Sequence, residues 1–75
     1  MKIEILGSGC SRCKMLESNV VDAVKRSGKK AEIVKITKYE DIVSYGVMST
    51  PALVIDGRIV SQGRIPSSDE ILKML

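Results

Sequence analysis

The chain has 75 residues, which is the size of one small domain. It contains neither Phe nor Trp, so its core must be built from aliphatic side chains and methionine. The net charge is +3, the basic residues are scattered among nine acids, and two Tyr are the only aromatic residues. A nucleic-acid surface usually needs a denser basic patch with stacking groups, so this composition argues against nucleic-acid binding.

The first half of the chain predicts a strand, a helix and a second strand. Residues 2–6 alternate isoleucine with charged residues, which is typical of a short strand. Residues 11–27 carry apolar side chains at helical spacing, and Gly28 is expected to end this helix as a left-handed cap. Residues 30–36 are dense in apolar residues and predict a largely buried second strand. A unit of this kind has parallel strands and a right-handed crossover.

The second half predicts a short helix, a hairpin and a final helix. Thr37 with Glu40 three residues later is a capping-box pattern and predicts the start of the short helix. Asp56-Gly57 is a strong two-residue turn signal between apolar runs at 52–55 and 59–60. Ser67 with Glu70 is a second capping box and predicts the last helix.

The order of elements is therefore β-α-β-α-β-β-α. This order predicts an α/β fold in which a mixed four-stranded sheet is flanked by helices. We expect one domain over residues 1–75. The N-terminal residues lack the apolar segment of a signal peptide, and no apolar run approaches the length of a membrane span. A cytoplasmic location without membrane association is the expectation.

Cys10 and Cys13 are the only cysteines, and they lie in the segment GSGCSRC between the first strand and the first helix. A disulfide between them would close so small a loop that it would barely constrain the unfolded chain. Chemistry is a better reason for the pair, and in a reducing compartment such thiols are usually catalytic or metal-binding. At a helix start, unpaired N–H groups and the helix dipole stabilise the thiolate of Cys10 and lower its pKa.

Thiolate Cys10 is thus the candidate nucleophile and Cys13, one helical turn further on, the candidate resolving thiol. Cys10 would attack a substrate disulfide, and Cys13 would then attack Cys10 and release the reduced substrate. Three other interpretations stay open, one of which is a redox sensor without enzymatic activity. The cysteines could be inert core residues, or they could hold a metal or an iron–sulfur cluster across a dimer, since a closed zinc site needs four ligands and the chain has no His.

Three segments give the chain a resemblance to the thioredoxin superfamily: CSRC at 10–13, MSTPALVIDGRIV at 48–60 and GRIPSSDEI at 63–71. It is most similar to the minimal, glutaredoxin-sized members, including small archaeal and bacterial redox-active disulfide proteins. The resemblance implies that Thr50-Pro51 has a cis peptide bond beside the redox cysteines. It also implies that Thr50 and Pro51 bind an extended substrate segment in a strand-like manner.

Further site residues follow from the same resemblance. Gly63 would give the substrate backbone close access, and Ser11 and Arg12, between the cysteines, would tune the thiol pKa and the redox potential. Arg64 is expected to be solvated. The buried acid of larger thioredoxins has no clear counterpart, since Glu4, the nearest carboxylate, is expected to face water. The glutathione-binding residues of glutaredoxins are absent, which favours protein dithiols over glutathione.

The predicted function is that of a thiol–disulfide oxidoreductase that reduces or exchanges protein disulfides. Its expected partners are protein disulfide substrates and a thiol–disulfide reductase. We expect it to act as a monomer, with no cofactor other than the redox-active disulfide between Cys10 and Cys13 and with no metal.

Overall fold

The computed structural model describes residues 1–9 and 11–75. Their elements follow the predicted order and are, along the chain, β1 (Lys2–Leu6), α1 (Ser11–Ser27), β2 (Glu32–Ile36), α2 (Tyr39–Ser44), β3 (Ala52–Ile55), β4 (Arg58–Gln62) and α3 (Ser68–Met74). The strands form one mixed sheet in the order β2-β1-β3-β4. β1 pairs with β2 in parallel and with β3 in antiparallel orientation. The predicted α/β fold class is confirmed.

Two apolar layers cover the two faces of the sheet. On one face, α1 and α3 bury Leu16, Val20 and Ile71 against Ile3 and Ile5 of β1. On the other face, α2 buries Ile42 in a smaller cluster that includes Leu6, Ala52 and Val54. Since β1 and β3 are the central strands and both of their faces are covered, the loop that follows β1 is held on a rigid base.

Local turn chemistry accounts for the hairpin and for the end of α1. Asp56 and Gly57 both have positive φ angles, 50° and 83°, as a type I′ turn requires. They connect β3 directly to β4. Gly28 follows the last residue of α1 and has a φ of 71°, the left-handed conformation that only glycine adopts without strain. Both predictions from the sequence are confirmed.

The second strand differs from its prediction in length and in burial. It begins at Glu32 rather than near Lys30, and Glu32 and Lys35 are exposed while its apolar residues are only half-buried. The reason is its place at the edge of the sheet, where only β1 pairs with it. Ile33 packs against the cluster on one face of the sheet and Ile36 against the cluster on the other, but neither is fully buried. The prediction of a largely buried strand was therefore wrong.

The capping box predicted at Thr37 was also wrong. The N-cap of α2 is Lys38, which makes no side-chain cap hydrogen bond, and the N–H of Ile42 donates to the carbonyl of Lys38 at 3.0 Å. Ile42 is the residue that α2 buries, so tertiary packing outweighs the local signature in setting the start of this helix.

The capping box at Ser67 is confirmed. The Ser67 hydroxyl accepts a hydrogen bond from the N–H of Glu70 at 3.1 Å, and the Glu70 carboxylate accepts one from the N–H of Ser67 at 3.2 Å. The carboxylate also pairs with the guanidinium of Arg64, which is thus engaged within the chain rather than simply solvated. The hydrogen bond from Arg64, and then that from the Ser67 backbone, lower the pKa of Glu70.

A matched pair of substitutions separates the real cap from the apparent one. Ser67→Ala is expected to cost about 1 kcal/mol of unfolding free energy, because it removes the acceptor for an otherwise unpaired helix N–H. In a domain of this size, that loss corresponds to a fall in Tm of about 4–8 °C. Thr37→Ala, which removes no cap, should change stability by less than about 0.5 kcal/mol. Thermal unfolding followed by circular dichroism measures both, and equal losses would contradict the assignment of caps.

Candidate active site

Cys13 lies in the first turn of α1, and its side chain is buried, with 7% of its surface exposed. Its sulfur rests on the backbone of Gly7, the first residue after β1. A Cβ built on Gly7 would overlap with Sγ of Cys13 and would lie 3.9 Å from Cα of Pro51. The end of β1, the start of α1 and the segment before β3 therefore converge at this sulfur.

The predicted nucleophile, Cys10, lies outside the described residues. Helix α1 begins at Ser11, the next residue in the chain, and its first turn contains no acidic residue. Ser11 and Arg12 are both exposed on this turn. The roles assigned to these residues from the sequence stay predictions.

The segment before β3 approaches the same place from the other side. The Thr50–Pro51 peptide bond is cis, the geometry that the resemblance implies. Pro51 is fully buried, whereas Thr50 is exposed. Their role in substrate binding stays a prediction.

Gly63 joins this segment to the start of α1. Its N–H donates a hydrogen bond to the carbonyl oxygen of Pro51 at 3.0 Å, and its own carbonyl accepts one at 3.0 Å from the guanidinium of Arg12. It has a φ of 75°, and an added Cβ would lie only 3.0 Å from Cβ of Ser49. The structure thus brings Arg12, Pro51 and Gly63 together. The hydrogen bond of Arg12 was missed, because the sequence gives no signal that joins positions 51 residues apart.

A shallow groove extends from the exposed Thr50 along α2. It has a volume of about 320 Å³ and runs between Ser8 and Met48, with Tyr39 and Val43 along α2. Met48 is 90% exposed, and the side chains of Tyr39 and Val43 are also largely in solvent. The face of the molecule next to Thr50 therefore offers exposed apolar side chains.

A second cavity opens beside Cys13 on the side of α1 and β2. It has a volume of about 330 Å³, and among the residues that line it are Gly7, Cys13, Lys14, Glu17 and Lys35. The carboxylate of Glu17 and the ammonium of Lys35 form an ion pair at 3.3 Å across it. Glu17 and Lys35 were missed as site residues, although the i, i+4 spacing of Cys13 and Glu17 places both on one helix face.

Glu4 contradicts its prediction. It is 5% exposed rather than turned to water, and its carboxylate accepts a hydrogen bond from the hydroxyl of Tyr45. That hydrogen bond, with burial and the negative charge of Glu4, raises the pKa of Tyr45. Successive strand residues point to opposite faces, so Glu4 lies on the α2 face with Leu6, whereas Ile3 and Ile5 face α1.

The described part of the chain contains neither a cluster of metal-ligating side chains nor a membrane-spanning helix. Within residues 1–9 and 11–75, no group of three or more His, Cys, Asp or Glu side chains is placed to hold a metal ion. In the same residues, no helix is long and apolar enough to cross a membrane.

A four-stranded mixed sheet with this order, covered by helices and with a cysteine at the first strand–helix junction, defines an α/β protein of the thioredoxin fold. Among solved structures, a chain titled "Structure of a malarial protein" matches it with a TM-score of 0.69. The match covers 97% of this chain and 90% of that one, and at 19% identity it supports the fold alone.

Sequence comparison adds the family. A family model described as a thioredoxin domain matches residues 1–75. A protein named thioredoxin from Methanothermobacter thermautotrophicus is 44% identical over 75 residues, all of this chain and 97% of the relative. One of the same name from Methanocaldococcus jannaschii is 42% identical over 73 residues, 97% of this chain and 84% of the relative. The chain belongs to the thioredoxin family, and its general activity is that of a thiol–disulfide oxidoreductase.

Proposed function

We propose that the chain reduces or exchanges protein disulfides through a dithiol formed by Cys10 and Cys13. The observation that carries the proposal is the position of the Cys13 sulfur. It is buried on Gly7, next to Pro51, in the first turn of α1. Burial shields this thiol from attack by large substrates, and its position three residues after Cys10 in the sequence suits it to form the internal disulfide.

In the proposed reaction, the thiolate of Cys10 attacks one sulfur of the substrate disulfide. A mixed disulfide forms and the first substrate thiolate leaves. Cys13 then loses its proton and attacks Cys10, so that the Cys10–Cys13 disulfide forms and the second substrate thiolate leaves. Two electrons pass from the dithiol to the substrate. The N–H groups at the start of α1 favour the thiolate of Cys10, and the first turn brings no carboxylate to oppose it.

Substrate binding is assigned to the exposed face around Thr50. An extended segment would pair with the backbone of Thr50, with Pro51 below it and Gly63 leaving space beside it. The hydrogen bonds from Arg12 to Gly63 and from Gly63 to Pro51 support this assignment, because they hold the three segments in a fixed arrangement. The apolar groove toward Met48 would contact substrate side chains.

The partner proteins, the oligomeric state and the cellular location are part of the same proposal. The substrates would be proteins with accessible disulfides, and a thiol–disulfide reductase would return the Cys10–Cys13 disulfide to the dithiol. We propose that the chain acts as a monomer in the cytoplasm and needs no further cofactor.

The test is reduction of insulin by the dithiothreitol-reduced protein. Wild type should accelerate precipitation of the insulin B chain. Cys10→Ser should reduce the rate to the uncatalysed background, because the attacking thiol is lost and the remaining thiol, Cys13, is buried. Cys13→Ser should instead form a stable mixed disulfide, detected by mass spectrometry. Equal rates for wild type and Cys10→Ser would refute the proposal. Protein purified without air that contains stoichiometric metal, lost in Cys10→Ser, would favour the metal-binding alternative.

A further inference from the structure

The proposed reaction contains a proton transfer that needs an acceptor. Cys13 is almost fully buried, and it must become a thiolate before it attacks Cys10. A positioned general base accelerates such a step. Glu4 is the buried carboxylate of the sheet, but it lies on the α2 face and is bound to Tyr45. It is not among the residues that line the cavity at Cys13.

Among the residues that line this cavity, Glu17 provides a carboxylate. It follows Cys13 by four residues in α1, a spacing that puts the two Cβ atoms roughly 5–6 Å apart on one helix face. The Glu17 side chain is 33% exposed, so it contacts both the cavity and bulk water. A proton accepted there can leave to solvent.

Lys35 fixes the carboxylate. It projects from β2, where it pairs in register with Ile5 on the α1 face, and its ammonium lies 3.3 Å from Glu17. The cavity of about 330 Å³ is large enough for several water molecules, each of which occupies roughly 30 Å³ in the liquid. Water between sulfur and carboxylate would have a polar group at each end, as an ordered bridging water requires.

We infer that Glu17 accepts the proton of Cys13, through water in this cavity, during the resolving step, and that Lys35 is the positioning residue for its carboxylate. This inference rests on the proposed function. The Cys13 S–H bond breaks and the proton passes to Glu17. The Cys13 thiolate forms a bond to the sulfur of Cys10, and the bond from Cys10 to the substrate sulfur breaks. Glu17 then returns its proton to the leaving thiolate or to solvent.

The two steps can be measured separately with 5,5′-dithiobis(2-nitrobenzoate) in a stopped-flow instrument. Attack by Cys10 releases the first thionitrobenzoate, and attack by Cys13 on the mixed disulfide releases the second. Glu17→Gln should leave the first phase unchanged and slow the second by about a hundredfold, the lower end of what a general base contributes. Lys35→Gln should slow the second phase by a smaller factor, and Lys35→Arg should restore it.

Asp22→Asn is the matched control, because it removes one negative charge from the same helix. Asp22 pairs with Arg26 at 3.6 Å and is not among the cavity residues. Both phases should keep their wild-type rates in this variant. Thermal unfolding of each variant reports whether it is folded. If Glu17→Gln is unfolded, Glu17→Asp, which keeps the carboxylate, replaces it and should retain a second phase slower than wild type.

A second phase that is not slowed in Glu17→Gln is the outcome that contradicts the inference. Removal of a negative charge beside a thiol favours the thiolate by electrostatics alone, so a carboxylate without a role in proton transfer predicts an equal or faster second phase in Glu17→Gln. That result would overturn the inference. A second test adds formate, a small carboxylate, to Glu17→Ala. If the second phase is slow in this variant and formate accelerates it no more than chloride does at equal ionic strength, the role of Glu17 is structural, which would also overturn the inference. If Cys10→Ser loses both phases but the second phase of Glu17→Gln has the wild-type rate, the proposed function stands and only the inference about Glu17 fails.

Discussion

Gly7→Ala is expected to displace the sulfur of Cys13 while leaving the fold in place. The added methyl group would occupy the space of Sγ, but it would make only an ordinary contact, 3.4 Å, with Cβ of Cys13. Because the overlapping atom belongs to a side chain and not to the backbone, rotation of Cys13 about χ1 is the expected response. No left-handed strain is involved, since Gly7 is not among the glycines with positive φ. The loss of stability should be about 1–3 kcal/mol, as for other overpacked sites.

The larger effect should be on chemistry. With its sulfur displaced, Cys13 can no longer attack Cys10 in the proposed geometry, so the mixed disulfide should accumulate and insulin reduction should fall by at least about tenfold. Stopped-flow release of thionitrobenzoate would show a normal first phase and a slow second one.

A double-mutant cycle with Cys13→Ala identifies the cause. If the sulfur is what the new methyl group meets, Gly7→Ala should cost less unfolding free energy in the Cys13→Ala background than in wild type, with a coupling of about 0.5–3 kcal/mol. Additive losses would show that the methyl group acts elsewhere, for instance on the hydrogen bond from the N–H of Gly7 to the carbonyl of Ile36.

Leu16→Ala should destabilise the protein more than any surface change on α1. Leu16 is fully buried between the helix and β1, one turn after Cys13. Truncation removes apolar contacts and leaves a cavity, at a cost of about 3–5 kcal/mol. Domains of this kind are stable by only about 5–15 kcal/mol in total. At about 4–8 °C per kcal/mol for a domain of this size, Tm should fall by about 12–40 °C.

Met15→Ala is its control, because the neighbouring side chain on the same helix is 56% exposed. It should lower the unfolding free energy by less than about 1 kcal/mol, since most of its apolar surface already contacts water. Urea denaturation of both variants gives the comparison. Similar losses would mean that α1 does not pack on the sheet through Leu16.

Local signals in the sequence predicted much of the fold. Asp56-Gly57, Gly28 and the pair Ser67 with Glu70 each specify a backbone conformation within a few residues, and the structure contains all three. Thr37 with Glu40 has the same pattern and failed, because the burial of Ile42 determines where α2 begins. Local chemistry is therefore a dependable guide only where packing does not oppose it.

Contacts between distant segments could not be predicted in this way. Alternation in β1 implied a solvent face for Glu4, but a central strand with helices on both sides has no solvent face. Three contacts depend on how the elements cross, which the sequence of a single segment does not indicate. They are the pairs Glu4 with Tyr45, Arg12 with Gly63, and Glu17 with Lys35. Cys13 received a candidate role from the chemistry of its spacing to Cys10, whereas Pro51 received one only through the resemblance to a known family.

The pairing of β1 also bears on how the chain is synthesised and folds. Ile3 lies opposite Ile33 on one side and Ile55 on the other, so β1 is translated before both of its neighbours and obtains the second one only when β3 has been made. Until then its isoleucines lack their final cover, and we expect the closure of these long loops to slow folding, since non-local contacts form late. A nascent chain arrested before Ala52 should therefore be the species most prone to capture by chaperones.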